Sequence, residues 1–170
     1  MINGYIFIDF DGVILDSEAR MLERKYDLGL RDHKNKNEFN KYFEYTNLNP
    51  KEWDYIIREA KSINNSVKII KELEKMKINI AILTKIHTLY EMKIKLEELR
   101  KKNIICPVFF VPPGIRKHQV VIPNKQLLID DSEKNIKEWI ANGGNGLIFD
   151  SKIIEDTYEK VKSLEFLIRR

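Results

Sequence analysis

The sequence predicts an α/β protein with a mostly parallel sheet. Short apolar runs read as buried strands, and amphipathic helical repeats lie between them. A third observation fits the same class: the polar residues able to do chemistry fall at the ends of those runs, where open parallel sheets bind ligands.

The first strand is Tyr5–Phe10, an apolar run that carries Asp9 and meets Asp11 in "YIFIDFDGV". Before the second strand the chain is far longer than one crossover helix needs. Residues 16–65 carry apolar and aromatic positions at helical spacing: Met21, Leu22 and Tyr26, then Phe39, Tyr42 and Phe43, then Trp53, Ile56 and Ile57. Asn49-Pro50 separates the last two groups. A small helical insertion folded over the sheet edge is expected, with Arg31–Asn37 as a surface loop and its aromatics, Trp53 included, mostly as its core.

Val67, Ile70, Leu73 and Met76 mark a helix before the second strand, Ile78–Leu83. Leu89, Met92, Leu96 and Leu99 mark another before the third strand, Val108–Val111, and His87 is expected to cap or begin that helix. The fourth strand, Leu127–Ile129, leads to a helix with Ser132 as N-cap, Ile136, Trp139 and Ile140 on its apolar face, and a stop at Gly143-Gly144. The fifth strand is Gly146–Phe149. Ile154, Tyr158, Val161, Leu164 and Ile168 predict a closing helix.

The 170 residues suit one domain, or one domain with a small insertion. The net charge of +4 is compatible with a phosphate-bearing partner. Its lysines are interleaved with acids, as in Lys68/Glu72 and Glu74/Lys75/Lys77, which reads as solvated helix faces and disfavours nucleic acid. No run of about 18 apolar residues predicts a membrane span. The expected first strand leaves no room for a signal peptide. The single cysteine, Cys106, excludes an internal disulfide, so a reducing cytoplasm is the expected location. Monomer and homodimer both remain open.

Asp9 and Asp11 end the first strand, Thr84 ends the second in "IAILTK", Lys117 follows the third in "PPGIRKHQ", and Asp130 and Asp131 end the fourth in "LLIDDSEKN". In a parallel sheet these converge on one rim. Two like unit charges 4 Å apart repel by about 4 kcal/mol at an effective dielectric near 20, so four clustered carboxylates call for a cation. An all-oxygen donor set selects a hard ion, and Mg²⁺ suits a site that also takes a phosphate. Thr84 and Lys117 fit phosphate, as a hydroxyl donor and a positive charge. Lys85 can meet the same substrate, and Arg116 rivals Lys117. Asp9 can attack phosphorus, Asp11 can serve as acid and then base, and Gly12 lets the backbone approach the ligand.

The ordered set "DFDGVILDSE", "ILT", a loop lysine and "LLIDDSEKN" resembles the four motifs of the haloacid dehalogenase superfamily, over residues 9–135. The resemblance implies a Rossmann-like sheet of strand order 5-4-1-2-3, formed by residues 1–15 and 66–170, with residues 16–65 as a small α-helical cap. It implies Asp9 as nucleophile, Asp11 as acid/base, and Thr84 and Lys117 as phosphate ligands, while Lys85 and Gly12 are added as phosphate contacts by the reading of the residues alone. Metal ligation falls to Asp9, Asp130, Asp11 through its backbone carbonyl, and Asp131 directly or through a metal-bound water, and Asn135 stands behind them. An aspartate at position 11 looks like the phosphatase branch, and the compact cap is similar to that of 5′(3′)-deoxyribonucleotidases. The expected function is a Mg²⁺-dependent phosphomonoesterase working through an aspartyl-phosphate, on a nucleoside monophosphate. Alternatives are sugar phosphates, nucleic-acid ends, or a non-catalytic binding protein on the same scaffold.

Overall fold

The computed structural model describes residues 4–30 and 36–169. They form a six-stranded parallel sheet: β1 (Ile6–Ile8), β2 (Ile80–Lys85), β3 (Val108–Val111), β4 (Leu127–Asp130), β5 (Asn145–Phe149) and β6 (Lys160–Val161). The spatial order is β3-β2-β1-β4-β5-β6, all pairs parallel. The predicted order 5-4-1-2-3 is thus present, with β6 added at the edge.

Side-chain alternation explains why the strands read as unbroken apolar runs. Ile6 and Ile8 of β1, Ile80 and Ile82 of β2, and Leu127 and Ile129 of β4 enter one core. Phe7, Ala81, Leu83 and Leu128 enter a second core on the opposite face, with Ile136 and Trp139. The helices covering these faces are α4 (Ser66–Lys75), α5 (Leu89–Lys101), α6 (Lys117–Val120) and α7 (Glu133–Ala141). Trp139 fixes α7 to the sheet. Its ring meets Phe7 edge-on at 5.5 Å and its Nε1 donates to the Gln126 carbonyl at 3.0 Å.

Between β1 and α4 lie α1 (Ser17–Asp27), α2 (Lys36–Leu48) and α3 (Glu52–Arg58). The chain leaves and re-enters the sheet along adjacent paths: Asp16 N–H donates to the Lys61 carbonyl at 2.9 Å, and Ile63 N–H to the Ile14 carbonyl at 3.1 Å. Of the expected loop Arg31–Asn37, residues 31–35 lie outside the described residues, and Lys36 and Asn37 already belong to α2.

Three expectations fail. The closing helix is absent: the chain forms β6 and then a 3₁₀ turn, Leu164–Leu167. Val161, Leu164 and Leu167 are buried, whereas Ile154 and Tyr158 are exposed, so the apolar spacing does not mark one continuous face. Local side chains compete with a helix there, since Asp156 accepts from Lys162 N–H at 2.8 Å and Thr157 from Lys160 N–H at 3.0 Å. The second failure is the face of α5. Leu89 is exposed, and the buried face carries Glu91, Ile94, Lys95, Glu98 and Leu99. Its N-cap is Thr88, whose hydroxyl accepts from Glu91 N–H at 3.0 Å, rather than His87.

Candidate active site

Parallel register brings the carboxyl ends of β1, β2 and β4 level. Ile8 pairs with Ile82 on one side and Ile129 on the other, so Asp9, Thr84 and Asp130 all follow within two residues on the same rim. Asp9 N–H donates to the Ile129 carbonyl at 2.9 Å and continues the ladder by one step. Asp9, Asp130, Thr84 and Lys117 are all buried.

Carboxylate oxygens of Asp9, Asp130 and Asp131 lie within 4.8 Å of one another. Lys117, delivered by the loop after β3 at the start of α6, reaches two of them: its Nζ is 2.7 Å from Asp9 Oδ1 and 2.5 Å from Asp130 Oδ2. Arg116 turns away to Glu138, 3.2 Å distant on α7, so Lys117 is the cation that the fold brings to the carboxylates. Further donors orient the Asp130 carboxylate. Ser132 N–H donates to its Oδ1 at 2.8 Å, and Asn135 Nδ2 reaches both oxygens at 3.0 and 3.1 Å. Asn135 in turn accepts from Lys85 Nζ at 2.9 Å.

Asp9 is less well served. Burial raises its pKa well above the carboxylate range, Lys117 pulls it back, and Asp130 and Asp11 raise it again. Oδ1 has the Lys117 charge close by but no hydrogen-bond donor in good geometry among the described residues. Asp131 is exposed on one side, yet partial burial and the neighbouring Asp130 charge push it up to about 7. An orphaned buried carboxylate oxygen beside two further carboxylates is an arrangement that a hard divalent cation satisfies, since every donor is oxygen. Asp9, Asp130 and Asp131 could hold such an ion.

Asp11 behaves differently. Its side chain is part-exposed and takes 2.6 Å hydrogen bonds from Ser17 Oγ and from Lys95 Nζ. Burial works against its charge, but Lys95 and Ser17 outweigh that and hold its carboxyl below the usual range. The next residue, Gly12, has φ of +72°, and a Cβ there would lie 2.1 Å from Asp131 Oδ2. Only glycine lets the turn after β1 run this close to Asp131.

Sequence reasoning missed Lys95, Glu91 and Ser17. Lys95 Nζ also meets the Lys85 carbonyl at 2.7 Å, Thr84 Oγ1 at 3.2 Å and Glu91 Oε1 at 2.8 Å. Glu91, Lys95 and Glu98 are spaced like a surface ion-pair ladder, which hid them.

A cavity of about 280 Å³ opens over this rim. Asp9, Asp11, Gly12, Lys85 and Asp131 line its polar end. Met21, Trp53 and Ile56 supply an apolar wall, and the His87 imidazole lines the cavity beside Trp53. The Trp53 ring stacks on His87, centroids 5.7 Å apart and planes 9° from parallel. Trp53 Nε1 is buried and has no hydrogen-bond partner among the described residues. A larger cleft of about 550 Å³ lies against α7 and the strands β4 and β5, but none of the predicted site residues lines it.

No family model matches the sequence, and no curated protein matches it. Solved structures do match along nearly the whole chain. The HAD-hydrolase YfnB from Bacillus subtilis, which is bound to magnesium, superposes with a TM-score of 0.66 at 16% identity, covering 98% of this chain and 97% of that one. A family IA, variant 3 HAD hydrolase from Entamoeba histolytica gives 0.64 at 10% identity, covering 96% and 94%. A β-phosphoglucomutase-like protein from Thermotoga maritima gives 0.62 at 14% identity, covering 98% and 97%. With the parallel sheet and its acidic rim, these superpositions give the chain the fold of the haloacid dehalogenase superfamily hydrolases.

Proposed function

We propose that the protein is a Mg²⁺-dependent phosphomonoesterase that works through an aspartyl-phosphate on Asp9. The observation that carries this reading is the pairing of Lys117 with both Asp9 and Asp130 under a cavity that the same Asp9 lines. An aspartate at a strand end, buried beside a fixed cation and open to a cavity, is a suitable nucleophile toward phosphorus.

Asp9, Asp130 and Asp131, with the Asp11 carbonyl, hold the metal in this reading. When bound, Mg²⁺ offsets the repulsion between the phosphate dianion and the Asp9 carboxylate. Thr84, Lys85, Lys117 and the backbone at Gly12 receive the phosphate oxygens. In the first step the Asp9 O–P bond forms while the ester P–O bond breaks, and Asp11 gives its proton to the departing oxygen. In the second step Asp11 takes a proton from water, whose oxygen bonds to phosphorus as the Asp9 O–P bond breaks. Asp11 is ionised when the cavity is empty, which suits the base role. A phosphate dianion beside it raises its proton affinity, which suits the acid role.

Residues 16–65 act as a cap over the remainder of the chain, 1–15 and 66–170. The paired backbone paths at Asp16–Lys61 and Ile14–Ile63 form its base. Trp53 reaches the cavity from α3, and with Met21, Ile56 and the stacked His87 ring it offers a largely apolar wall to the leaving group. A nucleoside monophosphate suits this wall better than a sugar phosphate, because a planar base can pack against it. The reaction is intracellular and the substrate is small.

A phosphate-release screen over nucleoside monophosphates and sugar phosphates, with Mg²⁺, tests the reading. Nucleotides should lead. Preferred turnover of sugar phosphates would reassign the substrate class. No turnover on any panel member, with no stabilisation by beryllium fluoride and Mg²⁺, would sink the enzyme reading in favour of a binding protein.

A further inference from the structure

Lys95 sits on the buried face of α5 and is 1% exposed. A helix whose only task is to cover a sheet would carry an apolar side chain there, because a buried ammonium is costly unless fully paired. Lys95 is fully paired. Its Nζ bonds Asp11 Oδ2 at 2.6 Å, the Lys85 carbonyl at 2.7 Å and Thr84 Oγ1 at 3.2 Å, and ion-pairs with Glu91 Oε1 at 2.8 Å. Glu91 is itself fixed, since its Oε2 accepts from His87 N–H at 2.6 Å. Two buried lysines therefore divide the carboxylates between them: Lys117 takes Asp9 and Asp130, and Lys95 takes Asp11.

We propose that Lys95 is the positioning residue for Asp11. It grips one carboxylate oxygen from α5 while Ser17 grips the other from α1, at 2.6 Å. The two bonds fix the plane of the carboxyl group at the cavity edge, and with it the direction in which Asp11 delivers a proton. Lys95 is not among the residues that line the cavity. Through Thr84 and the Lys85 carbonyl it also ties this geometry to the end of β2. The inference rests on the phosphomonoesterase reading.

Leaving-group dependence separates positioning from mere support. An alkyl ester needs a proton as its P–O bond breaks, whereas 4-nitrophenolate departs without one. In Lys95→Met, kcat/KM for an alkyl phosphate should fall by about 10²-fold or more, while that for 4-nitrophenyl phosphate falls less than about 10-fold. Asp11→Asn should give the same pattern. Since Lys95→Met leaves Glu91 buried without its cation, the double variant Lys95→Met with Glu91→Gln supplies a neutral, better-folded background, and the same disparity is expected there. Equal losses for both esters, no loss for either, or failure of both variants to fold would overturn the role of Lys95. A wild-type protein that hydrolyses neither ester would sink the phosphatase reading and this inference with it.

Discussion

Lys117 Nζ lies 2.7 Å from Asp9 Oδ1, and the two meet from loops after different strands, 108 positions apart in the chain (117 − 9). The same ammonium bonds Asp130, so one buried cation holds two buried carboxylates. Removing it in Lys117→Met leaves like charges facing each other without compensation. Breaking a buried pair in this way costs about 3–5 kcal/mol. The melting temperature should fall steeply without metal, and Mg²⁺ should restore part of it. An unchanged melting temperature would show that the pair contributes nothing to stability.

Asp9→Asn keeps the shape of the side chain and removes the nucleophilic charge. Mg²⁺-dependent release of phosphate from 4-nitrophenyl phosphate should drop by at least about 10³-fold, with circular dichroism unchanged. Because the uncharged amide also relieves repulsion with Asp130, the metal-free variant should melt no lower than the wild type. Retained turnover would take the nucleophile away from residue 9.

Gly12→Ala tests the close approach of β1's end to Asp131. The added Cβ would overlap Asp131 Oδ2, and φ of +72° is strained for alanine by about 1–2 kcal/mol. Lower stability is expected together with weaker Mg²⁺ affinity, measured by titration calorimetry, because Asp131 must move. Loss of stability with unaltered affinity would separate Asp131 from metal binding.

The pH dependence follows from two carboxyls raised above their unfolded value, Asp9 and, at about 7, Asp131. Between the unfolded and folded pKa values the folded state holds more protons, so metal-free stability is greatest below about pH 4 as far as these groups decide, and declines as pH rises toward and through 7. Metal binding requires the deprotonated forms. The increase in melting temperature at fixed Mg²⁺ should therefore grow from pH 5.5 to pH 8. A constant or shrinking increase would contradict the assignment of these carboxylates to the metal.

The parallel α/β architecture was legible because strands buried on both faces are apolar throughout, and helices between them repeat at a different period. Asp9, Thr84 and Asp130 could be singled out because each interrupts or ends such a run, and parallel register then carries them to one rim; Lys117 could be singled out as a cation in the loop that follows the third run. Lys95 and Glu91 could not: on a helix, charges three and four apart are the ordinary mark of a solvated face. Only the tertiary structure turns that face inward, because β1 and β2 end beside α5 and present Asp11, Thr84 and the Lys85 carbonyl to it. The closing helix failed for a related reason. Apolar spacing records which residues seek burial, while the partner that buries Val161 and Leu164 is a sheet edge and core assembled by distant parts of the chain.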